Sequence, residues 1–128
     1  MKELKKILYV EDEEDIRTIA QVALEDLGKF TVKICSSGQE AIEEAEAFSP
    51  DLLLLDVMMP GMDGPATLQA LRSKPALATT PAIFMTAKAQ NNEIMEYRKM
   101  GVLDVIIKPF DPMKLASDLK ECWKKHRG

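Results

Sequence analysis

Cysteine is scarce in this chain: 128 residues contain only Cys35 and Cys122, and they have no CxxC spacing. A disulfide scaffold is thereby excluded, and neither a zinc site nor a redox motif is suggested. Long apolar runs are missing too. None exceeds Leu52–Leu55 in length, far short of what a bilayer span requires. The charged N-terminus, Met1 to Lys6, runs into a short apolar segment without a cleavage-site pattern and makes a poor signal peptide. The expectation is a cytoplasmic protein with no membrane partner. Nor is there an excess of positive charge, since 17 Lys plus Arg stand against 21 Asp plus Glu for a net charge of −4. Binding of nucleic acid through bulk charge is therefore disfavoured. Repeats, linkers and low-complexity segments are absent, so residues 1–128 are expected to form one domain, with no output domain within the chain.

What the sequence does contain is alternation. Ile7–Val10, Phe30–Ile34, Leu52–Leu55, Ala82–Met85 and Asp104–Ile107 have the short apolar character of strands. Between them, Ile16, Ile19, Ala20, Ala23, Leu24 and Leu27 repeat at helical spacing until Gly28, and Ala41, Ile42, Ala45 and Phe48 do so after the cap signal Ser36-Ser37-Gly38. A short third helix ends near Arg72, Asn91 or Asn92 is expected to cap a fourth that closes at Gly101, and Asp111-Pro112 opens a fifth that buries Leu115, Leu119, Cys122 and Trp123. Leu52–Leu55 is apolar on both faces, as befits a central parallel strand covered by helices on each side. The predicted class is α/β, a doubly wound (βα)5 sandwich around a five-stranded parallel sheet.

In such a sheet, ligands bind beyond the carboxyl ends of the strands. Those ends carry Glu11-Asp12, Asp56, Thr86 and Lys108. Two carboxylates about 4 Å apart repel by roughly 4 kcal/mol at an effective dielectric near 20, and three of them make three such pairs. Something cationic should sit among them. Lys108 supplies one positive charge, and a set of hard oxygen ligands suits Mg²⁺. With both in place Asp56 becomes a plausible nucleophile toward phosphorus, and Thr86 could donate its hydroxyl hydrogen to a phosphoryl oxygen.

Four segments carry a resemblance: Ile7-Leu8-Tyr9-Val10-Glu11-Asp12-Glu13, Asp56-Val57-Met58-Met59-Pro60-Gly61-Met62-Asp63-Gly64, Thr86-Ala87-Lys88 and Lys108-Pro109-Phe110. In this order, each at a strand's end, they resemble the motifs of response-regulator receiver domains of two-component signalling, and the match spans nearly the whole chain. The resemblance implies the strand order 2-1-3-4-5. It also implies Asp56 as phosphoacceptor, Asp12 as a direct Mg²⁺ ligand, Glu11 as an acid holding the metal through water, and Met58 as donor of a backbone carbonyl to it. Thr86 and Lys108 would bind the phosphoryl group, with a cis Lys108-Pro109 bond, an isomer that X-Pro bonds reach at modest cost. The phosphoryl donor would be a sensor histidine kinase, a histidine phosphotransfer protein or a small acyl phosphate. A downstream protein would be met through the face made by helix 4, strand 5 and helix 5.

Two departures from the family pattern affect how it would signal. The aromatic position of strand five holds Val105, so signalling is expected to rely on backbone shifts of the loop after strand four and of helix four. Met58 and Lys88 occupy the positions that govern attack of water on the phosphoryl group, and both predict slow self-hydrolysis.

Other functions fit less well. A haloacid-dehalogenase-like phosphatase would want an acid two residues after its nucleophile, where this chain has Met58. A flavin carrier would need a phosphate cradle where residues 11–15 are all acidic. A receiver that is never phosphorylated would have no use for the intact set Asp12, Asp56, Thr86 and Lys108.

Overall fold

The computed structural model describes residues 3–87 and 90–127. Five strands, β1 (Lys6–Val10), β2 (Thr31–Cys35), β3 (Leu52–Asp56), β4 (Ala82–Thr86) and β5 (Asp104–Ile107), alternate with α1 (Glu14–Val22), α2 (Gly38–Phe48), α3 (Gly64–Arg72), α4 (Asn91–Lys99) and α5 (Leu115–Arg127). All strand pairs are parallel, in the order β2-β1-β3-β4-β5.

Successive strand residues feed opposite faces, as the pleat requires. Ile7, Tyr9, Leu52, Leu54, Ile83 and Met85 meet Ala20 and Leu24 beside Leu115, Leu119 and Trp123 of α5. Leu8, Val10, Leu53, Leu55, Ala82 and Phe84 meet Ala41, Ala45, Leu68 and Leu71 of α2 and α3, with Tyr97 of α4 packed against the same layer. Every residue of β3 is buried, which is why Leu52–Leu55 has no polar alternation. Each such leucine contributes roughly 1.5–3 kcal/mol by leaving water.

The helix ends show where local signals succeed and where packing overrides them. Ser37 caps α2, its hydroxyl accepting from the Glu40 amide at 3.1 Å, while Glu40 accepts from Ser36. Asp63 caps α3 through the Ala66 amide at 2.9 Å. Neither Asn91 nor Asn92 caps α4; Gln90 holds the N-cap position without a side-chain bond, and Asn91 is already helical. The first helix widens into a π-helical turn over Ala23–Leu27 before Gly28. Gly28 keeps a right-handed backbone, and the left-handed residue is Lys29, at φ 62°. A Cβ at position 28 would lie 2.8 Å from Ala116 Cβ and from the Leu24 carbonyl oxygen, so close approach to α5 demands the glycine. Regular helix in α5 starts at Leu115, led in by a turn in which Asp111 accepts from the Met113 amide. Cys122, expected in the core, is only half-buried.

No helix among the described residues is long and apolar enough to cross a membrane.

Candidate functional site

The register of the sheet decides which side chains meet. Val10 at the end of β1 lies beside Leu55 of β3, Asp56 beside Met85 of β4, and Thr86 beside Ile107 of β5. The residues at or just past these ends, Glu11, Asp12, Asp56, Thr86 and Lys108, thus share the carboxyl edge of the three central strands and β5. Lys108 donates its backbone amide to the Thr86 carbonyl at 2.8 Å, which sets its stem over the edge. Its Nζ donates to Glu11 Oε1 at 2.6 Å and ion-pairs with Asp56 Oδ1 at 3.0 Å. The Lys108-Pro109 peptide is cis.

Both acids are deeply placed: Glu11 is 0% and Asp56 2% exposed. Glu11 also accepts from the Tyr9 hydroxyl at 3.4 Å and the Glu13 amide at 3.2 Å. Burial pushes the Asp56 carboxyl up from 3.8 to about 7; the hydrogen bond from Lys108 pulls it back, and the charge of Glu11 pushes it further up. Burial works against the Lys108 ammonium, but its bonds to Glu11 and Asp56 outweigh that, and its pKa rises. Burial and the Glu11 charge raise the Tyr9 hydroxyl, so it stays a neutral donor.

Oxygens of Glu11, Asp12 and Asp56 all lie within 4.8 Å of one another. Asp12 Oδ1 is buried and, among the described residues, has no hydrogen-bond partner. A buried carboxylate oxygen without a donor is costly, and a hard divalent cation is the partner this donor set suits. Residues and ion fit one another. Thr86 is fully buried at the end of β4. Met58, two residues past Asp56, is 54% exposed, whereas Met59 is buried in the core. Lys88 lies outside the described residues.

Three contributors escaped the reading of the sequence. Tyr9 has the pattern of a core strand residue, and its ring is buried, but its hydroxyl reaches Glu11. Gly64 opens α3 against the backbone of Asp56: a Cβ there would fall 2.5 Å from the Asp56 carbonyl oxygen. Arg17 donates to the carbonyls of Glu11 and Asp12. The one sequence signal for Arg17 is a single base following five consecutive acids. Val105 is half-buried, and the aromatic ring over this region comes instead from α4, where Tyr97 meets Phe84 edge-on at 5.6 Å. Phe84 is the register partner of Val105.

A family model described as the response regulator receiver domain matches residues 7–120. The alkaline phosphatase synthesis transcriptional regulatory protein PhoP of Bacillus subtilis is 38% identical over 116 residues, 91% of this chain and 47% of its own length. The transcriptional regulatory protein CseB of Streptomyces coelicolor is 34% identical over all of this chain and 54% of its own. The chain thus spans about half the length of these relatives. Among solved structures, the chemotaxis protein CheY4 of Vibrio cholerae superposes with a TM-score of 0.85 at 28% identity, covering 93% of this chain and 98% of that one.

Proposed function

Because the chain belongs to the response regulator receiver domain family of two-component systems, we propose that it accepts a phosphoryl group on Asp56 and thereby changes its affinity for a downstream protein. The observation that carries this reading is the buried Asp56 carboxylate, 3.0 Å from the Lys108 ammonium and grouped with two further acids. An oxygen of Asp56 attacks phosphorus, forming a P–O bond, while the P–N bond to a donor imidazole breaks and the imidazole leaves with the electron pair. With a small acyl phosphate, the bond that breaks is P–O and the carboxylate leaves. The donor in the cell is a sensor histidine kinase or a histidine phosphotransfer protein.

Asp12 and Asp56, with Glu11 through water and the Met58 carbonyl, would hold Mg²⁺, which supplies charge neutralisation on the phosphoryl oxygens when bound. Lys108 is poised to follow a phosphoryl oxygen, exchanging its bond to Asp56 for one to the new dianion while Glu11 retains it. Thr86 donates its hydroxyl hydrogen to a second oxygen. Met58 offers water no hydrogen-bond partner to orient it, which favours slow loss of the phosphoryl group.

After incubation with acetyl phosphate and Mg²⁺, the intact mass of wild type is expected to show one phosphoryl adduct and that of Asp56→Ala none. An adduct of equal yield on the variant would overturn the reading.

The output surface is the face formed by α4, β5 and α5, and Tyr97 replaces the missing strand-five aromatic as its reporter. The chain has two tyrosines, so 3-fluorotyrosine labelling yields two ¹⁹F resonances. Beryllofluoride with Mg²⁺ is expected to move both: Tyr9 because its hydroxyl faces Glu11, Tyr97 because α4 shifts over Phe84. A displaced Tyr9 signal beside an unmoved Tyr97 signal would show that this face does not respond.

A further inference from the structure

Arg17 lies in the first turns of α1, its amide bonded to the Glu13 carbonyl at 2.9 Å. Five acids precede it, yet among the described residues it enters no ion pair. Its Nη1 donates instead to two consecutive main-chain carbonyls, Glu11 at 3.0 Å and Asp12 at 2.9 Å. From the other side, the Glu13 amide donates to Glu11 Oε2 at 3.2 Å. The turn out of β1 is thus held at both carbonyls and at the next amide, and the buried Asp12 Oδ1 is left without a hydrogen bond beside Glu11 and Asp56.

Charge alone does not account for this placement. A guanidinium beside a cation site repels the cation, so as a bare charge Arg17 would weaken metal binding. The single nitrogen Nη1 carries both bonds, and because its two hydrogens are fixed in the guanidinium plane it joins the two carbonyls in one set relation, which a freely rotating ammonium does not impose. We propose that Arg17 is a positioning residue: by bridging the Glu11 and Asp12 carbonyls it aims the Asp12 carboxylate at the acid cluster and sets the affinity for a divalent cation. This inference rests on the phosphoacceptor reading, which supplies the cation.

The two roles predict opposite signs. Partners that orient metal ligands change affinity by about tenfold or more when removed, so Arg17→Met is expected to weaken Mg²⁺ binding by that factor. Arg17→Lys keeps the charge but ends one bond short of Nη1 and has no fixed plane of hydrogens, and is expected to bind Mg²⁺ several-fold more weakly than wild type. The measurement is calorimetric titration of the whole chain with Mg²⁺ alone, beside thermal melting without metal. Arg17→Met that melts like wild type and binds Mg²⁺ equally or more tightly overturns the inference. If Arg17→Met does not fold, Arg17→Lys decides, and unchanged affinity there overturns it too. A wild type that binds no Mg²⁺ overturns the phosphoacceptor reading, and this inference with it; a wild type that binds beside unweakened variants overturns this inference alone.

Discussion

At about pH 8 and without divalent cations, Asp56→Asn is expected to be more stable than wild type by roughly 2–4 kcal/mol, although it can no longer accept a phosphoryl group. The cause is the carboxylate's position. Asp56 is 2% exposed, and burial raises its pKa from 3.8 to about 7. The sign follows from proton counting. Between these two values the folded state holds a proton that the unfolded state has released, so stability falls as pH rises through the window and is constant above it. Below about pH 4 the group is protonated in both states and the variant has no advantage. Asparagine keeps the shape and removes the charge, while Lys108 retains Glu11 at 2.6 Å. Mg²⁺ acts in the opposite direction, since it binds only the folded wild type and narrows the gap by mass action. Urea unfolding across this pH range, with and without Mg²⁺, measures both effects. An Asn variant less stable than wild type at about pH 8, or a difference that ignores pH, would mean that burial of charge is not what strains the site.

The instability predicted there is confined to residues whose convergence could be read without coordinates. Leu52–Leu55 is legible because a strand buried on both faces leaves no choice of residue type, and from its place the ends at Asp56, Thr86 and Lys108 follow once all strands run parallel. Backbone contacts leave no such trace. Arg17 looks like any polar residue on an amphipathic helix because its partners are carbonyls, which every residue has. The hydroxyl of Tyr9 is invisible for a similar reason: period two assigns its face, and the polar tip comes with the ring. In Gln90-Asn91-Asn92 the local preference favours an asparagine cap, but the extended backbone falls on Gln90 and Asn91 is already helical. Gly28 and Gly64 can both be read as breakers, but what requires them is the proximity of α5, distant in sequence from Gly28, and of the Asp56 backbone, brought against Gly64 by the turn after β3.

Lys108→Met is the converse test of the same site, and its cost is expected to change with pH. Methionine retains the apolar stem and removes an ammonium that is 2.6 Å from Glu11 and 3.0 Å from Asp56, leaving two buried carboxylates with no cation between them. Breaking a buried pair from one side is worth about 3 kcal/mol or more, and that loss is expected at about pH 8 without metal. By about pH 5 one carboxyl takes up a proton and donates it to the other, and the loss should shrink to about 1 kcal/mol. In wild type Asp56 titrates within this range, but the ammonium itself keeps its charge. The Lys108 pKa is raised above 10.5, so its contribution is complete below that value and fades only as pH climbs past it. Introducing Lys108→Met into Asp56→Asn should cost less than in wild type, because asparagine removes one of the carboxylates that would otherwise be left facing Glu11 without a cation. Chemical denaturation of the four proteins at both pH values closes the cycle. A loss that is the same at both, and the same with Asn at position 56, would assign the role of Lys108 to its hydrocarbon stem and not to its charge.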